Sequence, residues 1–518
     1  MVKVSAQLKK FEQQRARLTS FLNEDPAKAL AEARILPPGP SAKSKLFMHL
    51  KAGIFIDAGA ALRDKKAVED GIAIFEDLLT IHPDDDVSRY NAGNGFIALA
   101  DLQPYTGVDW YLQTAVIRQK ARWQFQRAAS SDKQRHVSSQ AWTNLGNAFL
   151  KAYRWVEAYD AYTRALQHDS ANGVASTGAA KILLRCVKRR IGNAAILRSV
   201  AARHLSIAKE HPERIKELIG PRGYASLEKL IRQPLAAGEM PKLDRATDYE
   251  KFVARHRLAL SPTIEGLDCS LKRWDSLRIQ SFTETSAISG VPPLFAMFNV
   301  LKSDFLTARY LAFKAISEKL PDSGFYSDTL DYAIYGVAPS MLSLAQRACI
   351  DVLDKIAVAT TELFAIPGPS KSVYFSNRWL VAKKGQPLAW DTAIRSQIEK
   401  GNTAVLALAE LSVDVREDGA LHEKKAYRHS STHRFTVLHD IGCKPSRPSD
   451  SVEHCSLSDF ESQLVESLQL ARAAIIYFVE MTSIREAAHK RDKGLVGVMN
   501  VPSHHWIRGE GQEAPFPQ

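Results

Sequence analysis

The spacing of glycines in the first third of the chain is what most constrains its fold. Gly59 and Gly93 stand 34 positions apart, each within a set of small and aromatic residues at helical spacing. Phe55, Ala58, Gly59 and Leu62 are followed by Gly71, Phe75, Leu78 and the terminating Pro83. Ala92, Gly93 and Phe96 are followed in phase by Ala121, Phe125 and Ala128. The best-formed unit is Trp142, Leu145, Gly146 and Phe149, then Ala158, Tyr162 and Ala165, and a degenerate unit runs from Ser176 through Ala180 to Leu183. From Gly93 to Gly146 is 53 positions, so about 19 extra residues interrupt the period, around Pro104 to Leu112. A regular period with two helical stretches per unit predicts stacked helical hairpins, each burying its apolar face on the next.

This pattern resembles the tetratricopeptide (TPR) repeat. There, Trp, Leu, Gly and an aromatic lie on the first helix of each pair, and small and aromatic residues on the second let the two approach closely. The resemblance implies an array whose concave surface binds a peptide or a partner protein. Near Gln233 to Lys242 the pattern loosens into a linker, which divides the chain into a repeat domain (1–240), a second domain (248–493) and a C-terminal tail (494–518).

In the second domain, Phe298, Leu301, Phe305, Ala308, Ala312 and Ile316 recur at steps of three and four, as one face of a helix does. So do Leu342, Ala345, Cys349, Val352, Ile356, Ala359 and Leu363, stopped by Pro367-Gly368-Pro369. A third helix is expected over Trp390 to Leu411. A fourth is expected from Ser458, capped by a Ser458/Glu461 box and carrying Phe460, Leu464, Leu468, Ala471, Ile475 and Phe478. Long amphipathic helices joined by loops predict a bundle. Ser372 to Ala382 is the one expected strand. The fold class read from the sequence is therefore all-α: a repeat array followed by a helical bundle.

Composition narrows the function. Five cysteines, Cys186, Cys269, Cys349, Cys443 and Cys455, are widely spaced and include no C-x-x-C pair, which predicts a reducing compartment without a disulfide framework. Met1 to Gln14 lacks the apolar stretch of a secretory leader, and Ala471 to Met481 is too short to span a membrane, so a cytoplasmic protein is expected. The net charge of +12 can steer a polyanion to a site or simply form a solvated basic surface with no dedicated partner. There is no G-x-x-x-x-G-K-[ST] loop and no G-x-G-x-x-G motif, and no nucleotide cofactor is expected. His439, Cys443, His454 and Cys455 match no common zinc spacing and are not read as metal ligands. Asp354 and Lys355, beside an apolar stripe, are read as structural pairing partners.

Between the third and fourth helices lies Tyr427-Arg428-His429-Ser430-Ser431-Thr432-His433-Arg434-Phe435. Its Arg428, His429 and His433 are similar to the signature of the HEPN superfamily (higher eukaryotes and prokaryotes nucleotide-binding), an Arg followed by a polar residue and, four to six positions after the Arg, a His. Arg198/His204, Arg416/His422, Arg434/His439 and Arg447/His454 also satisfy the loose spacing. The polar His429, the position after a bundle and a wider likeness single out Arg428/His433. That likeness includes Ser303 to Tyr310 and Asp354 to Ala357 and spans roughly Asp248 to Lys493, resembling HEPN domains fused to TPR-like repeats.

The resemblance implies metal-independent cleavage of RNA by a homodimer. Histidine can take the 2′-hydroxyl proton or protonate the leaving 5′-oxygen, and the Arg fork matches phosphate oxygens. A separation of five residues puts two side chains about 140° apart on a regular helix, so the motif belongs at a helix start or break. One chain supplies one such His. His433 is assigned the acid/base role, Arg428 the phosphate role and His429 support. The resemblance suits a bacterial stress or antiphage defence effector; the alternative is a non-catalytic adaptor dimer that binds RNA or nucleotide, with a TPR scaffold. Some HEPN toxins carry a modifiable Tyr two positions after the motif His, and here Phe435 stands in its place.

Overall fold

The computed structural model describes residues 2–36, 42–131, 133–236, 238, 246–261, 263, 275–283, 291–368, 372–381, 388–416, 435–442 and 449–493. Two leading helices, α1 (Val2–Glu24) and α2 (Pro26–Arg34), precede four hairpins. These pair α3 (Ala42–Leu62) with α4 (Lys65–Ile81), α5 (Asp86–Asp101) with α7 (Ala115–Ala129), α8 (Arg135–Lys151) with α9 (Trp155–His168), and α10 (Gly173–Lys188) with α11 (Ala194–Glu210). Between α5 and α7 lies the short helix α6 (Val108–Gln113), formed by the extra residues that break the sequence period. Helix α12 (Pro212–Ile231) packs on the last hairpin.

The periodic glycines are explained by close approach. A Cβ on Gly93 would lie 2.6 Å from the Phe125 ring, and one on Gly146 would lie 2.7 Å from the Tyr162 ring. In both hairpins an aromatic on the second helix fills the space that glycine leaves on the first. Polar caps start the helices: Asp64 accepts from the Ala67 amide, and Asn172 from the Ala175 amide.

After the short α13 (Asp248–Arg255), the bundle is built from α14 (Pro293–Ser317), α15 (Val337–Leu363), α16 (Thr392–Glu399), α17 (Thr403–Val415) and the long α18 (Leu457–Lys493). The predicted stripes are its core: Phe298, Leu301, Phe305, Ala308 and Ala312 on α14 are buried, and all seven predicted positions on α15 and all six on α18 are buried too. One contiguous apolar cluster runs from Ala52 through the hairpins into the bundle as far as Met481.

Three local readings change. The helix expected over Trp390 to Leu411 is two helices, α16 and α17, separated at Gly401, whose φ of +85° is a left-handed conformation that suits glycine. The last helix begins one residue early, at Leu457, and the side chain that accepts from its first turn is Ser456, bonded by the Asp459 amide at 3.1 Å. Strands are also more numerous than expected. A two-stranded ladder joins β2 (Leu380–Val381) to β3 (Ala389–Trp390), and a three-stranded sheet orders β1 (Ala333–Ile334), β4 (Phe435–His439) and β5 (Val452–Ser456) as β1-β4-β5. β4 runs antiparallel to β1 and parallel to β5; residues 440–451 make the return, about the dozen that a parallel connection needs. No described helix is long and apolar enough to cross a membrane.

Candidate functional site

Arg428, His429 and His433 lie outside the described residues, as does His422. What the structure gives is the two ends of the 417–434 segment that carries them. Upstream is α17, buried along nearly its whole length. Its two carboxylates are held by three arginines of the repeat array. Arg118 forks onto Glu410 with two contacts of 2.6 Å. Arg122 reaches Asp414 through Nε at 3.0 Å and Nη2 at 2.6 Å, and also reaches Glu410 at 3.3 Å. Arg154 bonds Asp414 as well and is itself paired with Glu157. Burial alone would raise the Asp414 carboxyl, but the Arg122 and Arg154 guanidiniums outweigh it and hold the group below the usual range. Arg416, the last described residue before the segment, donates Nε to the Ser376 carbonyl at 3.2 Å.

The interrupting α6 adds a second seam. Arg395 on α16 forks onto Asp109, and Trp390 Nε1 donates to the Val108 carbonyl. A cleft opens beside this seam, lined by Leu112, Val116, Leu380, Leu388, Val413 and Arg416. Further along the array, α9 lies against α18. There Trp155 Nε1 donates to Glu480 at 2.7 Å, and the Tyr477 hydroxyl accepts the Val156 amide at 3.1 Å.

Downstream, the segment enters β4, where the Phe435 amide donates to the Ser451 carbonyl at 3.0 Å. Alternation along the parallel pair decides what each side chain meets. Leu438 and Cys455 are register partners and both are buried in the core. His439 and His454 occupy the other face, His439 fully buried and His454 partly so. The His439 Nε2 and His454 Nδ1 atoms are 2.8 Å apart, and His439 Nδ1 is 2.8 Å from the Asp331 carbonyl oxygen. Asp331 precedes β1 by two residues and its carboxylate faces the same centre: the ligand-type atoms of Asp331, His439 and His454 all lie within 4.8 Å of one another. The Thr329 hydroxyl, donating at 2.6 Å, holds the Asp331 carboxyl below its ordinary value.

The sequence reading that set His439 and His454 aside therefore missed a cluster. Spacing between them is uninformative because their meeting depends on a parallel register, and Asp331 comes from more than a hundred residues upstream. The available signal was the β-prone, alternating character of 435–439 and 452–456. Cys455 points away from the cluster, and Cys443 lies outside the described residues. His204, whose spacing from Arg198 also fits the loose pattern, is half-buried beside Tyr159; desolvation, then the nearby Arg257, push its pKa down to about 4. Lys355 pairs with Asp304, and Asp354 accepts the Phe375 amide at 2.8 Å, so both do structural work.

Residues 285–485 match the family described as LA2681-like HEPN, and this part of the chain carries a HEPN-family domain. No curated protein and no solved structure matches the chain. The matched region includes Arg428, His429, His433, both seam-forming helices α16 and α17, and the Asp331/His439/His454 cluster. It does not extend to the N-terminal hairpins, whose likeness to TPR repeats rests on their residue pattern and helix pairing. HEPN domains commonly dimerise and bind RNA.

Proposed function

We propose that the chain is a metal-independent endoribonuclease whose repeat array targets or regulates the HEPN site. The observation that carries this reading is the HEPN match over 285–485, which encloses an Arg428/His433 pair at the family's spacing. Two chains pair through the HEPN domain, and their two motifs face one groove. One His433 acts as base on the 2′-hydroxyl and the other as acid on the leaving 5′-oxygen, while Arg428 holds the scissile phosphate and offsets its growing negative charge. His429 supports them. The attacking group is the RNA's own 2′-hydroxyl, so the reaction needs no metal and spares DNA.

The arginine seam supports regulation by the array. Arg118, Arg122 and Arg154 grip the helix that leads into the motif segment. A peptide or protein bound on the TPR-like surface that shifts these hairpins moves the anchor of the site. Such a device suits a stress or antiphage defence effector acting in the cytoplasm. The test is incubation of full-length protein with total RNA in EDTA. Products ending in a 2′,3′-cyclic phosphate or 3′-phosphate with a 5′-hydroxyl are expected. Cleavage that needs added Mg²⁺ would overturn the metal-independent mechanism, and RNA binding without cleavage would move the reading to a non-catalytic RNA-binding adaptor.

A further inference from the structure

We infer that Asp331, His439 and His454 form a site for one divalent first-row transition-metal ion of the zinc or cobalt type, which braces the sheet at the root of the motif segment. Three features of the geometry carry the inference.

First, His439 is oriented as a ligand. Its Nδ1 lies 2.8 Å from the Asp331 carbonyl oxygen, and only a protonated Nδ1 can bond there. The ring proton is thereby fixed on Nδ1, leaving the lone pair on Nε2, which lies 2.8 Å from His454 Nδ1. A carbonyl on the far nitrogen is the usual partner of a metal-bound imidazole, because it sets both tautomer and ring angle. The His439 side chain has no exposed surface, so this orientation is set by the fold.

Second, a hydrogen-bonded histidine pair needs no carboxylate, whereas a cation does. Asp331 brings an anionic oxygen to the same centre from a separate stretch of chain, and all three donor atoms lie within 4.8 Å of one another. With metal–nitrogen bonds of about 2.0–2.1 Å, two nitrogens 2.8 Å apart subtend about 85–90° at the ion. That is the angle between neighbouring positions of a five- or six-coordinate ion. Two imidazoles and one carboxylate on one face, with remaining positions for water, suit such ions and not Ca²⁺ or Mg²⁺, which prefer oxygen.

Third, the three donors come from the stretch before β1, from β4 and from β5, so one ion ties together all three strands of the sheet. His439 is six positions after His433 along the chain. The ion is a brace that fixes where the segment ends, and it takes no part in the RNA chemistry. The inference therefore stands or falls separately from the ribonuclease reading, because it is tested without RNA.

The experiment uses untagged full-length protein, stripped with EDTA, returned to metal-free buffer and titrated with Co²⁺, then with Zn²⁺ in competition. One equivalent of Co²⁺ per chain with a visible absorption band, displaced by Zn²⁺, is expected. Zn²⁺ should also raise the melting temperature by several degrees, since an ion that binds only the folded chain stabilises it. His454→Gln should weaken binding at least ~10-fold and abolish the melting shift, whereas His82→Gln, at an exposed helix end, should change neither. Asp331→Asn, partly exposed, should repeat the loss, and it decides the matter if His454→Gln fails to fold by circular dichroism. A folded wild type that binds neither ion stoichiometrically overturns the inference. So does one equivalent bound equally well by the wild type and the folded variants.

Discussion

Arg122, on the second helix of an N-terminal hairpin, holds the Asp414 carboxylate with three nitrogen–oxygen contacts of 3.0 Å or less, and Asp414 stands three residues ahead of the segment that carries Arg428 and His433. Both side chains are about 2% exposed, so the pair is shielded from water and salt. A buried pair of this kind is weak evidence for net stability, because desolvation offsets much of the attraction, but removing one member leaves an uncompensated charge. Its value here is positional: it fixes α17 against the array in one register.

Removal of the acidic partner should therefore be costly. Asp414→Ala leaves Arg122 and Arg154 facing each other without their shared anion, and a loss of about 3–5 kcal/mol in urea unfolding is expected. Acid should act in the same direction. Asp414 titrates lower in the folded chain than its ordinary 3.8, so its contribution is complete above that value and is lost as pH falls through the depressed folded value. The unfolding midpoint, followed by circular dichroism from neutral pH to below 3.8, should fall more steeply in the wild type than in Asp414→Ala. Parallel curves would remove Asp414 from the account of acid sensitivity.

Glycine substitutions should separate packing from helix propensity. Gly93→Ala puts a methyl group 2.6 Å from the Phe125 ring, and Gly146→Ala puts one 2.7 Å from Tyr162. Each should cost about 1–3 kcal/mol by overpacking. Gly53 lies inside α3 with nothing within 4 Å of its added Cβ, and Gly53→Ala should stabilise by about 0.5–1 kcal/mol. Thermal melts of the three variants check the contrast, and a uniform sign would contradict it.

These two sets of positions also show what the sequence could and could not reveal. The glycine–aromatic relation repeats at a fixed period, so the hairpins were readable from spacing alone, as were the stripes of α14, α15 and α18. The seam was not. Nothing in the local sequence marks Arg118, Arg122 and Arg154 as buried, because Glu410 and Asp414, 260 to 292 residues away in chain order, come beside them only on folding. The His439/His454 cluster was obscured for the same reason, since short strands in a helical chain give little periodic signal and their register is a tertiary property. Gly401 marked the break between α16 and α17, but apolar residues on both sides of it continue a helical pattern.

Dimerisation should be measured on the full chain. The apolar cluster continues from Ala52 to Met481, so a fragment beginning near residue 250 would expose the faces of α17 and α18 that now meet α7 and α9. Light scattering with size-exclusion chromatography should give two copies of the full-length chain. A strict monomer at high concentration would remove the composite two-histidine site while leaving RNA binding open to test.

The chemistry makes the sharpest demand. His433→Ala removes the proton-transfer group from both halves of the composite site, and the rate should fall by about 10²–10⁴-fold. Arg428→Ala should reduce it comparably, because the scissile phosphate then gains negative charge with no fixed cation beside it. His429→Ala, in a supporting role, should cost less than either. His422→Ala, which shares the loose spacing with Arg416, should leave the rate close to wild type. All four variants should elute and melt like the parent, since their roles are in catalysis and not in packing. Basal cleavage is expected to be low while the arginine seam holds α17, so the series is best run beside Arg122→Ala, in which the grip on Asp414 is loosened. Single-turnover cleavage of labelled RNA in EDTA gives the rates, and undiminished activity in His433→Ala would assign the reaction to other residues.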